Sequence, residues 1–170
     1  MKRTISHLSV LCLFLFCATV SRAELSYLYT FSLSDMTFSD GNRIGRFNDD
    51  SLVYRCSAAE FGTGCGQLAA ELKDKDDSLT ISPAIHKLSE ITVNFYPNAV
   101  RDKLKVYVST NASDWTEATY TNYFSGSVKA IFPSGDYFVK IVNTKNSEAV
   151  YVRSITYGIR DCNCQLYVAP

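Results

Sequence analysis

Apolar and polar residues alternate along most of this chain with a period of two. Tyr27, Tyr29, Phe31 and Leu33 alternate with Leu28, Thr30 and Ser32; Ile91, Val93 and Phe95 alternate with Thr92, Asn94 and Tyr96. Leu104, Val106 and Val108 alternate with Lys103, Lys105 and Tyr107, and Tyr137, Val139 and Ile141 alternate with Phe138, Lys140 and Val142. Tyr151, Ile155 and Tyr157 share a face with Arg153. Weaker runs lie at 52–56, 67–72, 78–82, 127–132 and 165–168. A period of two rich in Val, Ile, Tyr, Phe and Thr puts successive side chains on opposite faces, which is the pattern of half-buried strands.

Turn-forming residues punctuate the runs, at Ser39-Asp40-Gly41-Asn42, Asp74-Lys75-Asp76-Asp77, Pro97-Asn98, 110–114, Pro133-Ser134-Gly135-Asp136 and 143–146. Only Ala69–Lys73 also suits a helix, and it is short. Strands recurring at this spacing without a long helical period predict an all-β, antiparallel two-sheet β-sandwich of jelly-roll type, whose two apolar faces close on each other. No repeat or linker divides it, so residues 24–170 read as one domain. Arg153 interrupts an apolar face, and the expectation is a sheet edge or a carboxylate partner, with a ligand contact as the lesser alternative.

Residues 1–23 read as an export signal. Lys2 and Arg3 precede an apolar stretch from Leu8 to Val20, and Ser21-Arg22-Ala23 offers small residues at a cleavage site. A lipoprotein signal would want a small residue before Cys17, where Phe16 stands. The expected location is therefore the periplasm, the cell surface or the extracellular space. Composition narrows the partners. Lys and Arg total 17, as do Asp and Glu, and with Lys2, Arg3 and Arg22 set aside the acids lead by three. A mildly acidic chain without a basic block has no electrostatic footprint for nucleic acid. Beyond the signal, no apolar run is long enough to form a transmembrane helix.

Four cysteines lie beyond residue 23: Cys56, Cys65, Cys162 and Cys164. An even number in an exported chain points to disulfides, with three possible pairings. The loop between Cys56 and Cys65 favours that pair, and two bridges from this loop to the C-terminal segment are the rival. Zinc ligation is disfavoured by the Cys-Asn-Cys spacing of 162–164 and by an oxidising compartment.

The order of features resembles a family. The residues that carry the likeness are Phe61-Gly62-Thr63-Gly64, the runs 79–85, 88–93 and 104–110, Asp114-Trp115-Thr116, and the late strands 137–143 and 150–157. The chain is similar, over most of residues 45–158, to the jelly-roll, galactose-binding-like β-sandwich modules of secreted Bacteroidota-type proteins. That resemblance implies the sandwich fold and a role in binding sugars, binding proteins or supporting a neighbour. It transfers no ligand or calcium site. Asn111-Ala112-Ser113 replaces the Asp-Gly turn common in these modules, and Arg153-Ser154 stands where many carry an acid.

Candidate chemistry is sparse. Beyond the signal the only histidine is His86, so no Ser-His-Asp set can be built. A Cys65–His86 nucleophile pair would need a free thiol. Carboxylate pairs are too numerous to single out an enzyme. Asp35 and Asp40, flanking a turn-rich segment, are the calcium candidates, for a structural ion in an oxygen-lined loop. No other cofactor is indicated. The richer signal is aromatic. Trp115, Tyr120, Tyr123 and Phe124 cluster beside Asn111, Asp114 and Asn122. Flat rings ringed by amides and carboxylates suit sugar recognition. The expected ligand-binding residues are Trp115, Tyr120, Tyr123, Asn111 and Asn122, with Trp115 also suited to capping the sandwich core. The leading expectation is non-catalytic binding of an extracellular carbohydrate or glycoprotein. The alternatives are an envelope structural protein docking a protein partner, and a small carboxylate-dependent hydrolase or lyase.

Overall fold

A computed structural model describes residues 24–160 other than 33, 49, 59, 65, 97–102, 125 and 147. The expected signal 1–23 and the segment holding Cys162 and Cys164 lie outside the described residues. The described residues form twelve strands, β1 (Glu24–Thr30), β2 (Met36–Ser39), β3 (Ile44–Phe47), β4 (Val53–Ser57), β5 (Glu60–Gly64), β6 (Gln67–Leu72), β7 (Ser78–Tyr96), β8 (Leu104–Ser109), β9 (Thr116–Glu117), β10 (Thr119–Phe124), β11 (Ser127–Asn143) and β12 (Val150–Arg160). Every pairing is antiparallel. Among the described residues there is no helix; Ala69–Leu72, which also suited one, belong to β6.

Two strands run through both layers of the sandwich. The first half of β7 pairs β4 and the second half of β11, which continues to β8 and β9. The second half of β7 pairs β12 and the first half of β11, which continues to β10. The hydrogen-bonded ladder therefore folds over on itself at two corners. In β11 the corner is Pro133-Ser134-Gly135-Asp136, where the register shifts. Sequence reading expects a loop there, but the chain bends without leaving the sheet. In β7 the corner holds Lys87 at φ 53°. The corners are tied together: Asp136 Oδ1 accepts the Lys87 amide at 3.0 Å and lies 2.7 Å from His86 Nδ1.

The alternating apolar faces meet between the layers in one core. Tyr54 of β4, Leu79 and Ile91 of β7, Val106 of β8, Ile141 of β11 and Tyr157 of β12 are fully or almost fully buried. Rings bridge the layers: Tyr29 and Phe47 sit 5.1 Å apart edge to face, and Phe31 meets Tyr54 at 5.5 Å; within its own layer Phe31 also meets Phe61 at 5.5 Å. Such offset ring pairs add to the stability that burial alone gives. Cys56 is a free thiol buried among them, and its pKa is pushed up to about 12, chiefly by burial. Cys56 therefore forms no bridge in this structure, and Cys65 lies outside the described residues.

Candidate functional site

A cleft lies where the β8–β9 loop meets the corner of β11. It has a volume of about 420 Å³, within the range of small-ligand sites. Phe132 and Tyr137 flank the corner and stack edge to face, 5.3 Å apart. Gly135 makes this possible. A Cβ there would stand 2.9 Å from the Tyr137 ring, so only a bare backbone admits the tyrosine. The walls bring Thr110, Asp114, Thr116 and Thr119, all exposed, with Glu117 and Ser109.

The loop that carries this wall is braced by Asn111. Its Oδ1 accepts the Ser113 and Asp114 amides, both at 2.9 Å, and the Ser109 hydroxyl at 3.0 Å. Its Nδ2 donates to Asp114 Oδ2 at 2.8 Å. Ala112 can then hold its left-handed conformation, φ 61°. Asn111 lines the cleft, and its hydrogen bonds within the loop hold Asp114 in place. Glu117 pairs with Lys105 at 2.8 Å.

The other sequence candidates separate. Trp115 does not cap the core. It is partly exposed on the outer face of the sheet, with Lys140 Nζ 4.2 Å from its ring centroid. Lys140 projects outward because its neighbours Val139 and Ile141 are buried. Tyr120, expected to be exposed, is half-buried against the core. Its hydroxyl accepts the Val106 amide at 2.9 Å and faces the Val106 carbonyl at 3.4 Å. It is thus partly packed against the core and tied to β8. Asn122 and Tyr123 lie on β10 at register positions opposite Lys129 and Val128, and their side chains are outside the described set. The rings that do line the cleft, Phe132 and Tyr137, read in sequence as ordinary core positions on two separate runs. The usable signal was the Pro-Ser-Gly-Asp interruption between them.

The calcium candidates Asp35 and Asp40 sit at opposite ends of β2 and do not converge. Asp35 accepts the Ser32 and Ser34 hydroxyls at 2.6 and 2.9 Å, which hold its pKa below the usual carboxylate value. Among the described residues no group of three or more His, Cys, Asp or Glu side chains gathers in a metal-binding arrangement. His86 is exposed, at a corner, with Asp136. Arg153 departs from both expectations. It lies within the sheet rather than at an edge, and among the described residues no carboxylate pairs with it. Its guanidinium instead packs 4.9 Å from the centroid of the Tyr96 ring.

No family model matches the chain, and no curated protein matches it. Among solved structures it is similar to CBM86, a low affinity xylan binding module from Roseburia intestinalis, with a TM-score of 0.47 and 14% identity over 79% of this chain and 96% of that one. A family 29 carbohydrate binding module aligns with a TM-score of 0.44 and 10% identity, covering 80% of this chain and 89% of the other. A family two carbohydrate esterase from Cellvibrio japonicus gives 0.42 and 15%, covering 81% of this chain and 35% of that longer one. At such scores and identities the likenesses carry no functional weight. The reading of function stands on the cleft itself.

Proposed function

We propose that this protein is an exported, non-catalytic carbohydrate-binding module that takes neutral sugar residues in the cleft at the β11 corner. A pyranose presents an apolar C–H face and a rim of hydroxyls. The Phe132–Tyr137 pair offers apolar ring surface for the first. Thr110, Thr116, Thr119 and the Asp114 carboxylate offer donors and acceptors for the second, and a carboxylate acceptor makes the stronger bonds. This juxtaposition in one pre-formed cleft is the observation that supports the reading. Asp114 and Glu117 put negative charge on the rim, and among the described residues only Glu117 has a paired cation, which disfavours acidic sugars. Catalysis is disfavoured as well. A general acid needs a dry, apolar setting to keep its proton, whereas both carboxylates here face solvent.

Affinity electrophoresis against soluble xylan, mannan, glucan and galactan tests the proposal. Retardation by at least one polymer, weakened in Asp114→Ala and Thr116→Val, supports it. Unretarded migration on every polymer sinks it.

A second reading has its own observation. On edge strand β1, Leu28 is 65% and Tyr27 46% exposed. An exposed apolar edge is suited to pairing with a strand of another protein. A pull-down from envelope extracts that depends on Leu28, and that sugars do not displace, would favour a structural role.

A further inference from the structure

Strand β12 changes neighbours at Arg153. Val150, Tyr151 and Val152 pair with β6, whereas Ser154 to Arg160 pair with β1. Against β7 the register slips at the same point, between Val152 and Ser154. Arg153 is thus the extra residue of a bulge, a device that re-aims a side chain. Its carbonyl still accepts the Phe31 amide at 3.0 Å, so its backbone is fixed where β1 and β6 part.

The parting strands leave a cleft of about 360 Å³, lined by Thr30, Phe31 and Ser32 on one side, Thr63 and Gln67 on the other, with Arg153 between them. Arg153 Nε is buried and has no hydrogen-bond partner among the described residues. Buried donors are nearly always satisfied in folded proteins, and a charged one strongly so. Tyr96 lies against the guanidinium and restrains its plane. Among the described residues no carboxylate lines the cleft. The Ser32 hydroxyl is spent on Asp35, 2.6 Å away, which leaves Thr30, Thr63 and Gln67 to add neutral polar contacts.

We propose that the fork between β1 and β6 is an anion subsite in which Arg153, positioned by its bulge and by Tyr96, binds the carboxylate of an acidic sugar. A planar carboxylate matches the donor fork of a guanidinium, and the hydroxyl and amide groups around it match the remaining hydroxyls of a uronate. The site is separate from the neutral-sugar cleft. The anion site stands on its own geometry, and only the choice of a sugar acid over a simple carboxylate rests on the carbohydrate reading.

Amide-resolved NMR titration of the intact protein with sodium glucuronate, glucose and sodium acetate tests it. Saturable glucuronate-dependent shifts at Thr30, Thr63 and Gln67 are expected, with none from glucose. Arg153→Gln should weaken glucuronate by about tenfold or more, and Gln67→Leu, which leaves the bulge intact, should weaken it less. Acetate shifting the same amides as strongly as glucuronate would uphold the anion site and overturn the sugar assignment. Absence of glucuronate shifts in the folded wild type, or shifts that persist unchanged in a folded Arg153→Gln, would overturn the site itself.

Discussion

The hydroxyl of Tyr157 on β12 donates to the hydroxyl of Tyr54 on β4 at 3.1 Å, across a core where both rings are almost completely buried. It is a polar rivet between two apolar layers. Burial drives both hydroxyls well above the usual tyrosine pKa, so both stay neutral and able to share a proton. Tyr157→Phe removes the donor and leaves Tyr54 short of a partner in a dry site. The expected cost is about 1–2 kcal/mol, read from urea denaturation. A double-mutant cycle with Tyr54→Phe should show coupling between the two positions, and strictly additive losses would remove the rivet.

Gly45 lies opposite Tyr54 on β3 and faces inward. A Cβ there would stand 2.8 Å from Met36 Cε and 3.0 Å from the Phe61 ring. The thioether end can swing aside, but Phe61 is itself held against Phe31 and Phe38. Gly45→Ala should therefore destabilise by about 1–3 kcal/mol, with a lower midpoint in thermal unfolding. An unchanged midpoint would mean that this part of the core packs more loosely.

Alkali should unfold the protein through groups that the core keeps protonated. The thiol of Cys56 and the hydroxyls of Tyr54 and Tyr157 all have raised pKa values. Between the ordinary and the raised values the folded chain holds protons that the unfolded chain releases. Stability is then fully present below about pH 8.5, where the unfolded thiol begins to ionise, and is lost progressively as pH climbs toward 12. The same burial predicts that iodoacetamide leaves Cys56 unmodified at neutral pH until denaturant is added. Mass spectrometry of a tryptic digest reads this, and rapid labelling of Cys56 in the native protein would contradict it.

Trp115, the sole tryptophan, lies beside the cleft residues Asp114 and Thr116 with Lys140 against its ring. Removing the ammonium in Lys140→Met should change the intrinsic emission while costing less than about 1 kcal/mol, because a cation–π contact at a partly exposed site is weak. Unaltered emission would mean that the two side chains do not meet in solution.

How far the sequence could be read depended on whether the information was local. The period of two at 91–96, 104–108 and 137–142 revealed the strands and their inward faces, because burial of one face is written into every second residue. The corners were not legible. Pro133 and Gly135 signal a bend, but whether a bend ends a strand or carries it into the second layer depends on what pairs beyond it, here β7. Short β2 and β3, with Met36, Phe38 and Gly45 turned inward, lacked enough alternation to stand out. For the proposed cleft, the loop around Asn111 and Asp114 stands out in the sequence because its polar residues are contiguous. Phe132 and Tyr137 do not, since a ring that lines a cleft and a ring that fills a core have the same sequence signature. The polar neighbours of Tyr120 suggest exposure, whereas its ring is half-buried and its hydroxyl reaches the Val106 backbone. The bulge at Arg153 arises from a change of partner strand that no local pattern encodes.

The most direct test of the central claim is isothermal titration calorimetry of neutral xylo-, manno- and gluco-oligosaccharides into the wild type and Tyr137→Ala. Saturable binding of at least one neutral series to the wild type, weakened by about tenfold or more in a Tyr137→Ala protein that remains folded, is the predicted result. Absence of binding by every series, or equal affinity in the two proteins, would contradict a sugar-binding cleft at the β11 corner.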